Sequence, residues 1–279
     1  MEFRLARAGR IRLYNRFLPT QDQRGRLDVV LVSPRNPLNI GAAARAMANF
    51  GFSQLAVVAP FEAHWREARS AVGAPELLLE AKETGTLAQA VAGCTLILGT
   101  GTRTYRRPEQ RVVRLPDLAP LVKQELARGG RVGLIFGPEK HGLTREDLSL
   151  CHVLVEIPTD ARQPSMNLGQ AVAVCLYELA VRAFGTKIDE LPEPAADGSS
   201  QSARSADLEL LAGVVEEAMV AADYSPRAMR EANRHDLRLM LRRLAPSARD
   251  TRRILGLFRR ILWRMKRVSD AKTQGTATK

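Results

Sequence analysis

Residues 28–51 read DVVLVSPRNPLNIGAAARAMANFG. The first six, Asp28–Ser33, form a short apolar, β-branched run, the pattern of a strand buried on both faces. The segment Asn36–Asn39, with Pro37 inside it, reads as a turn. Asn39 or Gly41 then opens an Ala-rich helix. Gly51 closes it, because glycine tolerates the left-handed conformation that ends many helices.

The same alternation continues outward from this unit. Gln54–Val58 is a second strand, ended by Pro60. Thr86–Val91 is a short helix with Thr86 as its N-cap. Thr95–Gly99 is a third strand, followed by a polar loop through Arg111. Asp117–Arg128 is helical and ends at Gly129-Gly130. Arg131–Phe136 is a strand that runs into Gly137-Pro138-Glu139. Thr144 and Asp147 make a variant capping box. Val153–Ile157 is a strand stopped by Pro158, and Asn167–Ala183 is a long apolar helix. Strands alternating with helices, and strands without polar interruptions, predict an α/β domain with a parallel sheet over residues 27–184. Residues 185–206 are rich in Gly, Pro, Asp, Ser and Ala and read as a linker. Residues 207–279 read as a small basic helical domain, with helices over Leu208–Ala222 and Arg227–Lys266, the second split by Pro246. Residues 1–26 show no clean periodicity and read as a basic N-terminal arm.

The 279 residues carry a net charge of +12, distributed unevenly. Residues 1–26 hold seven Arg against Glu2 and Asp22. Residues 227–279 hold sixteen Lys and Arg against four acids, and the stretch between is mildly acidic. Arginine-rich ends on an acidic body point to a polyanion, nucleic acid first, because guanidinium matches phosphate bidentately. A solubility tail is the plainer alternative. No apolar run reaches the roughly 18 residues of a membrane span. The basic N-terminus lacks the apolar segment of a secretory signal, so a cytoplasmic protein is expected. Cys94, Cys151 and Cys175 match no metal or redox spacing, and the four histidines are scattered, so no metal site is expected.

In a parallel α/β sheet, ligands bind beyond the C-terminal strand ends. Four loops fall there: 34–41, 99–107, 137–142 and 158–167. After the first, Arg45 stands six residues beyond Asn39 and interrupts a small-residue helix face; a solvent-facing arginine is the simpler account. The second has the first two glycines of a dinucleotide loop, Gly99 and Gly101, but Thr104 where the third belongs, so a tight turn explains it. In the third, Glu139 at a strand end between Gly137 and Gly142 is either a reactive or hydrogen-bonding carboxylate or a solvated turn residue. In the fourth, Ser165 and Asn167 lead into a helix, which N-capping alone accounts for.

Taken together and in order, these segments resemble the SPOUT superfamily of methyltransferases, SpoU/TrmH branch. The matching pieces are Asn39-Ile-Gly-Ala-Ala-Ala-Arg45, then Leu134-Ile-Phe-Gly-Pro-Glu139 with Gly142-Leu143, then Ile157-Pro158 with Ser165-Met-Asn167-Leu168. The pattern from Asn233 to Met265 is similar to the tail of those members that methylate the ribose 2′-oxygen of tRNA nucleotide 32, on cytidine and sometimes uridine. The arm is longer than in those members. The resemblance implies a knotted Rossmann-like fold and a homodimer with its active site at the interface. It implies S-adenosyl-L-methionine bound by Thr100, Gly101, Thr102, Gly137, Ile157, Pro164, Ser165 and Met166. It also implies a partner that is RNA, tRNA first, with no DNA and no membrane.

The same resemblance assigns catalysis to Arg45, with Asn39, Glu139, Ser165 and Asn167 orienting it and the ribose. Guanidinium resists deprotonation, so Arg45 reads as a donor that binds phosphate and stabilises the developing alkoxide rather than as a base. Three competing readings remain: a ribosomal RNA methyltransferase of the same superfamily, a non-catalytic RNA-binding protein, and a nicotinamide oxidoreductase. The incomplete glycine motif disfavours the last.

Overall fold

Leu27–Val32 (β1) lies inside a seven-stranded sheet in which every strand pair is parallel. The structure, a computed structural model, describes residues 21–101, 110–183 and 201–276. The other strands are Gln54–Val58 (β2), Lys82–Thr84 (β3), Leu96–Thr100 (β4), Arg111–Arg114 (β5), Val132–Phe136 (β6) and Val153–Glu156 (β7), in the order β3-β2-β1-β6-β4-β7-β5. The helices of this unit are Gln21–Gly25 (α1), Pro37–Phe50 (α2), Pro75–Leu79 (α3), Leu87–Ala90 (α4), Ala119–Ala127 (α5), Arg145–Ser149 (α6) and Leu168–Glu178 (α7).

Side chains of a strand alternate between faces, and here both faces are dry. Leu27, Val29 and Leu31 of β1 enter a core shared with α2, α5 and α7. Val30 and Val32 enter a second core with Leu87 of α4 and Leu148 of α6. That double burial accounts for the uninterrupted apolar runs in the sequence. The free cysteines Cys94, Cys151 and Cys175 are buried in these cores. Burial pushes the Cys175 thiol up to about 12, so it acts as a small apolar residue.

The sequence-based boundaries shift in informative places. Helix α2 begins at Pro37, ahead of Asn39 and Gly41. Asn36 is its N-cap and accepts a hydrogen bond from the Leu38 N–H at 2.9 Å. Pro37 occupies the first helical position, where its missing N–H costs nothing. Gly51, at φ 75°, ends the helix as expected. Thr86 and Gln89 form a reciprocal capping box on α4, and Thr144 and Asp147 do so on α6. The edge strands β3 and β5 carry exposed Lys82, Glu83, Arg111 and Arg114, so they lack the apolar signature. Charge on an edge strand is a common guard against unwanted pairing. Arg26 belongs to the fold rather than to an arm: it donates to the Leu126 and Gly130 carbonyls and to Asp22. Residues 1–20 lie outside the described residues, as do residue 184 and residues 185–200 of the segment read as a linker.

The C-terminal residues form a second compact unit. Its helices are Ser205–Ala221 (α8), Arg230–Leu244 (α9) and Ala248–Thr276 (α10). Ser205 and Ala206, within the segment read as a linker, are already helical. Leu211, Ala212, Leu237 and Leu241 make a small core, with Ile254 and Leu255 of α10 packed against it. Glu209 pairs with Arg238 and Arg242, Glu216 with Arg234, and Glu217 with Lys266. The acids of α8 thus pair with basic residues of α9 and α10, of which Arg242 is buried and Arg238 half-buried. Arg249, Arg252, Arg253, Arg260, Arg264 and Arg267 remain exposed on α10. At about 100° per residue these six share one face of the helix. Trp263 lies on that face, with the Arg260 and Arg267 guanidinium carbons 4.2 and 4.8 Å from its ring centroid.

Candidate active site

The sheet order sets the loops after β1, β6, β4 and β7 side by side. A cavity of about 490 Å³ opens there. Thr100, Gly101, Gly137, Ile157, Pro164, Ser165 and Met166 all line it. Of the residues the family resemblance assigns to the cofactor, Thr102 alone lies outside the described residues. The wall also includes Phe136, Pro138, Lys140, His141, Leu143, Thr159, Leu168 and Ala171, to which the motifs assign no cofactor contact. They neighbour the motif residues in the chain, and that adjacency is the signal the sequence carries for them.

The loop after β6 makes one wall. It folds back on itself so tightly that a Cβ at Gly137 would collide with the backbone of Gly142 and Leu143. Glycine is therefore a steric requirement there. The Thr100 hydroxyl donates to the Ile135 carbonyl at 3.0 Å, and the Gly101 N–H donates to the Val155 carbonyl at 3.1 Å. These bonds fix the β4 loop against its neighbours.

Glu139 stands on the rim of this cavity and is the hub of a hydrogen-bond network. The Asn39 amide donates to its Oε1 at 2.8 Å, and the Arg35 N–H donates to its Oε2 at 3.2 Å. The Asn36 N–H adds a longer bond to Oε1 at 3.4 Å. Asn167 donates to Asn39 Oδ1 at 2.9 Å. Its own Oδ1 accepts from the Gly169 and Gln170 N–H groups, so Asn167 is also the N-cap of α7. The three motif residues after β1, β6 and β7 therefore form one chain, Asn167–Asn39–Glu139. Because Asn36 caps α2, the Asn39 side chain is released for this network. Burial pushes the Glu139 carboxyl up, but the donors Asn39, Arg35 and Asn36, with its own N–H, outweigh it and hold Glu139 below the usual carboxylate range.

Ser165 lines the cavity next to Met166. Arg45 is placed differently. It is exposed on α2, does not line the cavity, and makes no hydrogen bond or ion pair among the described residues. Six residues of helix turn it by roughly 120° from Asn39, so the two side chains leave α2 in different directions. Leu38, Arg45 and Asn49 share this outward face of α2. On α7 and the π-helical turn that follows it, Val174, Tyr177 and Val181 are likewise exposed. Tyr177 packs edge-on against Phe50 of α2, with ring centroids 6.0 Å apart. Among the described residues no group of His, Cys, Asp and Glu is arranged to hold a metal ion, and no helix is long and apolar enough to cross a membrane.

Known proteins are similar to this chain in sequence and fold. The SpoU rRNA Methylase family model matches residues 26–177. A tRNA (cytidine/uridine/adenosine-2′-O-)-methyltransferase TrmJ of Pseudomonas aeruginosa is 40% identical over 171 residues, which is 59% of this chain and 66% of that relative. A tRNA (cytidine/uridine-2′-O-)-methyltransferase TrmJ of Shigella dysenteriae is 33% identical over 84% of this chain and 93% of its own. The crystal structure of TrmJ from Z. mobilis matches with a TM-score of 0.72 at 28% identity, covering 84% of this chain and 98% of that one. The chain belongs to the SpoU methylase family of the SPOUT superfamily, and it is an enzyme of the RNA ribose 2′-O-methyltransferase class. Within that family it is similar to TrmJ over both of its units. A nicotinamide oxidoreductase and a non-catalytic RNA-binding protein are thereby set aside.

Proposed function

We propose that the chain is an S-adenosyl-L-methionine-dependent tRNA ribose 2′-O-methyltransferase that acts on the pyrimidine at nucleotide 32 of the anticodon loop, in the cytoplasm and as a homodimer. The observation that carries this reading is the Asn167–Asn39–Glu139 network on the rim of the 490 Å³ cavity. The TrmJ names of the relatives that align with both units support tRNA as the substrate.

The cavity suits the cofactor. Its volume lies in the range of small-molecule sites, about 300–1,000 Å³. Backbone groups at Gly101, Gly137 and Gly142 can meet the polar edge of adenine, and Leu143, Ile157, Met166 and Leu168 offer apolar walls. When bound, the cofactor supplies a methyl group on a sulfonium, so no metal or general acid is needed for the leaving group. The chain must align the ribose and help its 2′-hydroxyl lose a proton. The ionised Glu139 fixes the orientation of Asn39, and the Asn167 cap holds Asn39 from its other side. Ser165 would orient the ribose from the cavity wall.

Arg45 is assigned to substrate phosphate and to the developing alkoxide. Its outward position supports a dimer in which a second copy covers Leu38, Val174, Tyr177 and Val181 and so completes the site with Arg45. The same reading takes residues 27–184 as a knotted catalytic domain and the basic C-terminal unit as an RNA-binding extension. The exposed arginine face of α10 supports the latter. A ribosomal RNA substrate would use the same chemistry. Mapping 2′-O-methyl groups by mass spectrometry of nuclease-generated oligonucleotides from tRNA and ribosomal RNA of a strain lacking this gene decides between them. Loss from tRNA nucleotide 32 is expected, and loss confined to ribosomal RNA refutes the proposal.

A further inference from the structure

Phe61 follows β2 and is 68% exposed. A lone exposed apolar residue is ordinary, but this ring is built into the site. The Arg35 guanidinium carbon lies over it, 5.4 Å from its centroid. The Phe61 N–H donates to the Pro34 carbonyl at 3.2 Å. One residue further on, the Arg35 N–H donates to Glu139 Oε2 at 3.2 Å. The ring is thus tied through residues 34 and 35 to the hub of the network. The sheet order β2-β1-β6-β4-β7 puts the cavity on one flank of Glu139 and the Arg35–Phe61 pair on the other. The pair thus lies outside the cavity lining, next to the carboxylate that borders it.

We propose that Phe61 and Arg35 form a stacking platform for an unpaired nucleobase next to the acceptor ribose. The proposal rests on the RNA-substrate reading above. A ribose 2′-hydroxyl in a loop becomes accessible when neighbouring bases are splayed out, and splayed bases stack on aromatic rings and guanidinium planes. The ring offers an uncovered π surface, and Arg35 adds a cation that suits both a base and the adjacent phosphate. Phe61 is here a substrate-binding residue, not one that takes part in the chemical step.

The test compares wild type with Phe61→Ala, Phe61→Leu and Phe61→Trp. Full-length tRNA carrying 2-aminopurine beside the target nucleotide is the probe. Phe61→Ala and Phe61→Leu should each raise KM for tRNA about tenfold, the lower part of what one base–aromatic stack contributes, with kcat little changed. The quench of 2-aminopurine on binding should be lost in both and kept in Phe61→Trp. Leu preserves apolar bulk, so it separates stacking from packing should Phe61→Ala fold poorly. An unchanged KM and quench in Phe61→Leu, or a Phe61→Trp as impaired as Phe61→Ala, overturns the proposal. So does a change of oligomeric state in light scattering, which would make the ring a contact between copies. Quenching is read without catalysis, so it decides the platform even if wild type methylates no tRNA, a result that would instead defeat the functional reading.

Discussion

The Asn39 amide donates to Glu139 Oε1 at 2.8 Å, across 100 positions of sequence. Neither side chain is unusual alone, but together they fix the junction of the β1 and β6 loops. Replacing Asn39 by Ala removes the strongest donor to Glu139 and the partner of Asn167. Replacing it by Asp places a second carboxylate against the first. A shift of about 1 Å in a positioned group is enough to cost roughly 10²-fold in rate. Methyl transfer by Asn39→Ala should therefore fall by about that factor, and Asn39→Asp should fall further. Single-turnover assays with labelled cofactor measure both.

Glu139 is held below the ordinary carboxylate range, by donors that prevail over burial. A carboxyl depressed in the folded state contributes stability above its unfolded value, about 4.3, and loses it as pH falls through the lower folded value. Thermal unfolding of wild type and Glu139→Gln should therefore differ most at neutral pH. The two should converge in acid. A difference that grows on acidification would reverse the assigned sign.

Arg45 is exposed and free of partners among the described residues, so removing it leaves the fold undisturbed. Arg45→Ala should retain cofactor binding by calorimetry and lose methyl transfer. Mixing this variant with a second one inactivated at Asn39 tests the shared site. If each dimer site uses Arg45 of the other copy, the mixture regains part of the activity that both parents lack.

If the C-terminal unit is the proposed RNA-binding extension, the arginines of α10 should act on affinity rather than on chemistry. Arg253→Glu, Arg260→Glu and Arg264→Glu lie on the face away from the small core. They should leave the melting temperature unchanged and weaken tRNA binding. The slope of log affinity against log salt should fall by roughly 0.7–0.9 for each phosphate that the variant no longer neutralises. Filter binding at several salt concentrations gives that slope.

Much of this is legible in the sequence. The strands β1, β2, β4, β6 and β7 announce themselves by their apolar runs, and the cavity-lining Gly137, Ile157, Ser165 and Met166 lie in or beside the motifs. The edge strands β3 and β5 do not, since their exposed Lys82, Glu83, Arg111 and Arg114 erase the apolar pattern. The role of Asn36 is readable but missed: Pro37 after Asn36 is a sequence signal for a helix start, which the choice of Asn39 or Gly41 passes over. The different directions of Asn39 and Arg45 follow from helix geometry, yet a linear motif presents the two as one unit. Phe61 and its tie to Arg35 and Glu139 depend on the neighbouring positions of β1 and β2, which only the sheet order supplies.

Ribose methyl transfer to tRNA can be measured on the purified chain alone. Unmodified tRNA and, in parallel, ribosomal RNA are incubated with S-adenosyl-L-methionine carrying a labelled methyl group, cut to oligonucleotides with a base-specific nuclease and analysed by tandem mass spectrometry. The label is expected on the ribose 2′-oxygen of the pyrimidine at nucleotide 32. A label on a base, or a label that enters ribosomal RNA and never tRNA, would refute the assignment.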